Sequence, residues 1–170
     1  MNTLNKRLIT GLAATMLAAI YSQTALAADV TGTATAEVLA PLGITQTTEM
    51  DFGTVAGETA SATTVVLTTA GATSSIDGAF TSGTTAAGVF AVTGEASQAY
   101  SITLPADSTV TLTGAGAPMA VDGFNHDAVA SPALDGTGND SFNVGATLTI
   151  GAGQLAGTYN GSYTVTVDYQ

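Results

Sequence analysis

Cysteine and tryptophan are absent from this chain, and after Arg7 there is no lysine or arginine at all. Without cysteine there are no disulfide staples, no thiol nucleophile and no thiolate metal site. The missing cations exclude more. Thirteen carboxylates lie between Asp29 and Asp168 with no basic partner other than His126. Nothing could neutralise phosphates, which excludes nucleic-acid binding, and docking onto an anionic lipid surface is disfavoured for the same reason. A membrane-length apolar run is also missing. The longest stretch, Leu8–Ile20, falls short of the ~20 residues a bilayer core requires, and no second one follows, so no membrane insertion of the mature chain is expected. Helical periodicity is the last absence: nothing after residue 28 repeats apolar residues at a 3.6 period.

The first segment reads as an export signal. Lys6 and Arg7 form a positive n-region, Leu8–Ile20 is the apolar region broken by Thr10, Gly11 and Thr15, and Ala25-Leu26-Ala27 is a small-x-small cleavage pattern. Cleavage after Ala27 makes 1–27 a signal peptide and 28–170 the mature chain. That length suits one domain with a core that needs no disulfide.

The mature chain repeats at a period of two. Val30, Gly32, Ala34, Ala36 and Val38 alternate with Thr31, Thr33, Thr35 and Glu37, the pattern of a strand with one apolar face. Further strands are expected at Thr63–Thr69, around Val89, Phe90 and Val92, at Tyr100–Leu104, at Val110–Leu112, over Phe142–Ile150 and over Tyr163–Tyr169. Asp77-Gly78, Asp122-Gly123, Asp135-Gly136 and Asn160-Gly161 read as turns, and Gly71–Gly88 as a long loop or irregular edge. About eight to ten short strands with this spacing predict an all-β, immunoglobulin-like β-sandwich in a single domain.

Two stretches carry a family resemblance. Met50-Asp51-Phe52-Gly53-Thr54-Val55 resembles the opening element of spore coat protein U-like domains and their relatives, the archaic chaperone–usher pilins. The closing stretch Ala156-Gly157-Thr158-Tyr159-Asn160-Gly161-Ser162-Tyr163-Thr164-Val165-Thr166-Val167-Asp168-Tyr169 resembles that family's last strand. Ala91–Gly94, Tyr100–Leu104, Pro118-Met119 and Val144–Leu148 fit the same layout, so the likeness covers most of 34–170. The chain differs in lacking the cysteines common near the first motif, as a cysteine-free branch would. As in pilins, the penultimate residue is a tyrosine, Tyr169, and Gly157 is fourteenth from the end.

The resemblance implies a pilin-like subunit of a surface fibre. Such a sheet lacks one strand; a periplasmic chaperone pairs with the open edge until another copy's N-terminal segment replaces it at an outer-membrane usher. The donor strand would be 28–38, with Val30, Gly32, Ala34, Ala36 and Val38 facing the groove. The acceptor side would be the C-terminal strand, through Gly157, Tyr163, Val165, Val167 and Tyr169. A second reading stays open: Val30–Val38 is the protein's own first strand folded back in cis, and the chain is a self-complete secreted binding module directed at glycans or calcium. On either reading Phe52 enters the core and Gly53 allows a bend.

Catalysis finds no support. His126 has no nucleophile or cationic partner beside it in sequence, so no enzyme and no cofactor are expected. Asp122, His126 and Asp127 lie close enough in sequence to suggest a metal site, but read better as a solvated loop. Asp135-Gly-Thr-Gly-Asn-Asp140 has calcium-loop composition without the ligand spacing of an EF-hand, and reads as a polar turn. Export sets the first expectation. Intact mass of the secreted product should correspond to a chain beginning at Ala28, and retention of Lys6 and Arg7 would overturn the leader assignment.

Overall fold

The computed structural model describes residues 27–170. The expected leader lies outside the described residues, apart from Ala27. The chain divides into two compact units, Met1–Ala36 and Glu37–Gln170. Of the first unit, the described residues 27–36 are exposed and form no strand. The expected strand over Val30–Val38 is therefore corrected: Val30 is 95% and Val38 91% exposed, and no ladder joins them to a sheet. Gly32, Ala34 and Ala36 offer little apolar area to bury, and a strand left unpaired is not stable by itself.

The second unit is all β, with β1 (Gly43–Thr48), β2 (Thr54–Ala56), β3 (Thr63–Leu67), β4 (Thr73–Ser75), β5 (Phe80–Ser82), β6 (Gly88–Thr93), β7 (Tyr100–Thr103), β8 (Val110–Leu112), β9 (Met119–His126), β10 (Asn139–Ile150) and β11 (Thr166–Tyr169). This is the expected sandwich, formed by curled antiparallel sheets. A seven-stranded sheet runs β1-β6-β10-β3-β4, with β9 also on β10 and β8 on β9. Two short pairs, β7–β11 and β2–β5, complete it.

β10 organises the unit. Its first half pairs with β6 and its second with β3, while β9 takes the opposite edge, so that Leu148 faces both Val65 and Val121. Phe142, Val144, Ala146, Leu148 and Ile150 alternate inward as the period of two requires. Two clusters form on this strand. One gathers Phe52, Val65, Leu67, Val110, Met119, Val121, Ala146, Leu148 and Ile150. The other gathers Phe90, Val92, Tyr100, Leu134, Phe142 and Val144. Phe90 and Phe142 stack at 5.6 Å between centroids. Phe52 is buried, and Gly53 turns the chain with φ +72° where Ser82 and Thr85 leave no room for a side chain.

Several boundaries differ from expectation. Gly71–Gly88 holds β4 and β5, strands in which Phe80 is the single apolar residue and gives no alternation to read. Asp122-Gly123 lies inside β9 rather than in a turn, with Gly123 at φ +60° where the register with β10 shifts. In the C-terminal stretch the ladder covers only Thr166–Tyr169, although inward and outward residues alternate from Tyr163 onward. No described helix is long and apolar enough to cross a membrane, which says nothing of strands.

Leu148, 1% exposed between two paired strands, tests how far the unit depends on β10. Leu148→Ala should lower unfolding free energy by about 2–5 kcal/mol in a urea titration. Exposed Thr164→Ala should change it by about 0.5 kcal/mol or less. Equal effects would mean that β10 is not the common core strand.

Candidate functional site

Every strand has two hydrogen-bonding edges, and β1 and β11 each use one. β1 pairs with β6 alone, Gly43 opposite Thr93 through Thr48 opposite Val89. β11 pairs with β7 alone, Thr166 opposite Thr103 through Tyr169 opposite Tyr100. Among the described residues no strand takes the second edge of either. These edges lie alongside one another with no backbone ladder between them. At one end the Gln46 amide nitrogen donates to the Tyr163 hydroxyl at 3.4 Å. At the other the Tyr169 hydroxyl donates to the Ala40 carbonyl at 2.8 Å. The two stretches therefore run antiparallel, Ala40 beside Tyr169 and Gln46 beside Tyr163, and approach each other closely along a seam that no backbone ladder closes.

The floor of the seam is apolar. Tyr163, Val165, Val167 and Tyr169 from the C-terminal stretch, and Leu42 and Ile44 from the β1 side, are half-buried against the Phe90–Phe142 cluster. Tyr163 meets Phe90 edge-on at 6.0 Å and Phe124 at 5.3 Å. Burial pushes its phenol up to about 12. Both tyrosine hydroxyls come up against a glycine, Gly88 at the start of β6 and Gly94 just past its end. A Cβ on Gly88 would collide with Tyr163, and one on Gly94 with Tyr169. Tyr169 also accepts from the Glu95 backbone N–H at 2.6 Å.

Four of the five C-terminal residues expected at a site thus converge on the seam. Gly157 does not: it is exposed beside Ala115, before Asn160 bridges Thr113. Val30, Gly32, Ala34, Ala36 and Val38 are exposed and unpaired. Sequence reasoning missed Leu42, Ile44 and Gln46, although they alternate, and missed Glu95 and the paired glycines, which carried no pattern.

The acidic loops spend their carboxylates internally. Asp135 Oδ1 accepts from the backbone N–H of Thr137 and Asn139 and from the Thr137 hydroxyl, which holds its carboxyl below the ordinary range, the Asn139 amide being the largest cause. Asp140 accepts from Ser141 N–H and from the Tyr100 hydroxyl at 2.8 Å. Burial first, then this bond and the negative charge of Asp140, raise the Tyr100 phenol. Asp122 accepts from Ser108 N–H and Asp127 from Asn143. His126 packs edge-on to Phe142, and its Nδ1 is buried without a partner. Among the described residues no three His, Asp or Glu side chains converge as a metal site would require.

Tyr163 fixes a pH dependence. Its folded value lies above the unfolded value of about 10, so its contribution to stability is present below pH 10. That contribution is lost as pH rises from 10 towards about 12. Urea midpoints across this range should fall in the native chain and fall less in Tyr163→Phe. An unchanged slope in the variant would show that Tyr163 is not sequestered in the seam.

No curated protein and no solved structure matches the chain. A family model described as Domain of unknown function (DUF4402) matches residues 42–169, from the root of β1 to the end of β11, and the chain belongs to that family.

Proposed function

We propose that the mature chain is an exported structural subunit of a surface fibre, assembled by donor-strand exchange, with no catalytic role. The donor is the 28–38 segment of one copy and the acceptor is the seam between β1 and β11 of the next. The observation that carries this reading is the pair of free edges flanking one apolar floor. A strand added at this margin would supply backbone partners to a free edge and would exclude water from the half-buried valines and tyrosines.

Dimensions support the pairing. From Tyr163 to Tyr169 the seam is about 20 Å long at about 3.3 Å per residue, and Val30–Val38 spans about 26 Å. The donor's inward positions between the two valines are Gly32, Ala34 and Ala36, and small side chains suit a floor that Leu42, Ile44, Val165 and Val167 already fill. The exposure of Val30 and Val38 fits a segment that has no place in its own sheet. By the family resemblance, a periplasmic chaperone would cover the seam in transit and an outer-membrane usher would mediate the exchange.

The test is a peptide of residues 28–38 added in trans to the purified chain. The native peptide should raise the melting temperature in a concentration-dependent way. A peptide with Ala34→Asp should not, because a carboxylate on the buried face costs several kcal/mol without a partner. Thr33→Asp, on the opposite face, should bind nearly as well as the native peptide. Equal behaviour of all three peptides, or no shift from any, would remove the seam as an acceptor.

A further inference from the structure

A donor segment carried on the same chain as its acceptor edge raises the question of what keeps it from folding back. A two-residue hairpin at Ala40-Pro41 would lay residues 30–38 along the open edge of β1, antiparallel to it, and close the sheet in cis. The geometry points to a clamp that forbids this. We infer that Glu95 and Tyr169 hold Ala40 in place and so keep the 28–38 segment out of its own seam, leaving a second copy of this chain as the occupant. The inference rests on the donor–acceptor reading above and adds to it the device that makes the exchange intermolecular.

Three hydrogen bonds build the clamp. The Ala40 N–H donates to Glu95 Oε2 at 3.0 Å. The Ala40 carbonyl accepts from the Tyr169 hydroxyl at 2.8 Å. That hydroxyl in turn accepts from the Glu95 N–H at 2.6 Å, so both backbone groups of Ala40 are tied to neighbours that are also tied to each other. Glu95 lies just past β6 and Tyr169 ends β11, so the clamp joins the ends of these two strands at one mouth of the seam. The next residue is Pro41, with φ fixed near −65° and no N–H to give.

Direction follows from the clamp. Ala40 sits beside Tyr169, and β1 then runs along the seam towards Gln46 and Tyr163. To enter the same seam the preceding residues would have to reverse at Ala40-Pro41. A tight hairpin there calls for positive φ at one or both central residues. Pro41 cannot adopt it, and Ala40 could do so only by giving up bonds to Glu95 and Tyr169. Ala40 and Pro41 are themselves exposed, so the clamp constrains direction without burying its subject.

Amide hydrogen exchange of residues 28–38 in the full mature chain, read at low and high protein concentration beside the oligomeric state, tests this. In the native chain, protection of the segment should appear only at high concentration and together with oligomers. Glu95→Ala combined with Tyr169→Phe should make that protection independent of concentration, with loss of oligomers, as the freed segment closes in cis. A40N/P41G should do the same through a different route, by supplying an Asn-Gly turn at exposed positions, and it decides the matter if the clamp variant does not fold. If both variants keep the native concentration dependence, the clamp inference is wrong while the donor reading stands. If the native chain gains no protection at any concentration, the donor reading itself fails.

Discussion

A backbone amide or carbonyl that is taken from water must find a partner, and the structure is arranged around where that demand is met and where it is left open. β10 meets it most fully, with β6 and β3 on one edge and β9 on the other, and both core clusters stack on its inward side chains. β1 and β11 meet it by half. Proteins ordinarily blunt such edges with lysine, proline or a bulge. Lysine is not available beyond residue 6. β1 has Pro41 before it and a register irregularity between Gln46 and Thr48, and neither covers the stretch facing Val165 and Val167.

Without disulfides, tyrosine hydroxyls tie the β7–β11 side of the sandwich to the large sheet and its flanks. Tyr100 reaches Asp140, Tyr163 receives Gln46, and Tyr169 links Ala40 to Glu95. In each case the ring is buried or half-buried among aliphatic and aromatic neighbours while the oxygen finds a polar group at the rim, the division of labour that suits tyrosine. The glycines at Gly88 and Gly94 are the counterpart: they clear the space those oxygens enter.

The fold class could be read from the period of two and its turn residues, because Phe142–Ile150 and Thr63–Leu67 have clean alternation and a buried face to impose it. β4 and β5 could not be read, since Thr73–Ser75 and Phe80–Ser82 pair at a polar margin where packing asks little of the side chains. β9 was obscured by Asp122-Gly123, which looks like a turn and is a bulge. The C-terminal half of the site was legible in Tyr163, Val165, Val167 and Tyr169. The β1 half was not, because Leu42 and Ile44 are only two apolar residues before a polar stretch. Val30–Val38 shows the other limit: alternation marks a segment's suitability for a strand, and here the segment is exposed and pairs with no edge.

The carboxylates carry one more consequence. Asp51, Asp107, Asp122, Asp127, Asp135 and Asp140 each accept from a backbone N–H, so their anchoring is by dipoles at contact distance rather than by cations. Added ions screen long-range repulsion among the acidic side chains and, among the described residues, have no Lys or Arg ion pairs to weaken. Among the described residues, then, rising ionic strength eases the repulsion among carboxylates without breaking a Lys or Arg ion pair, which favours the compact state.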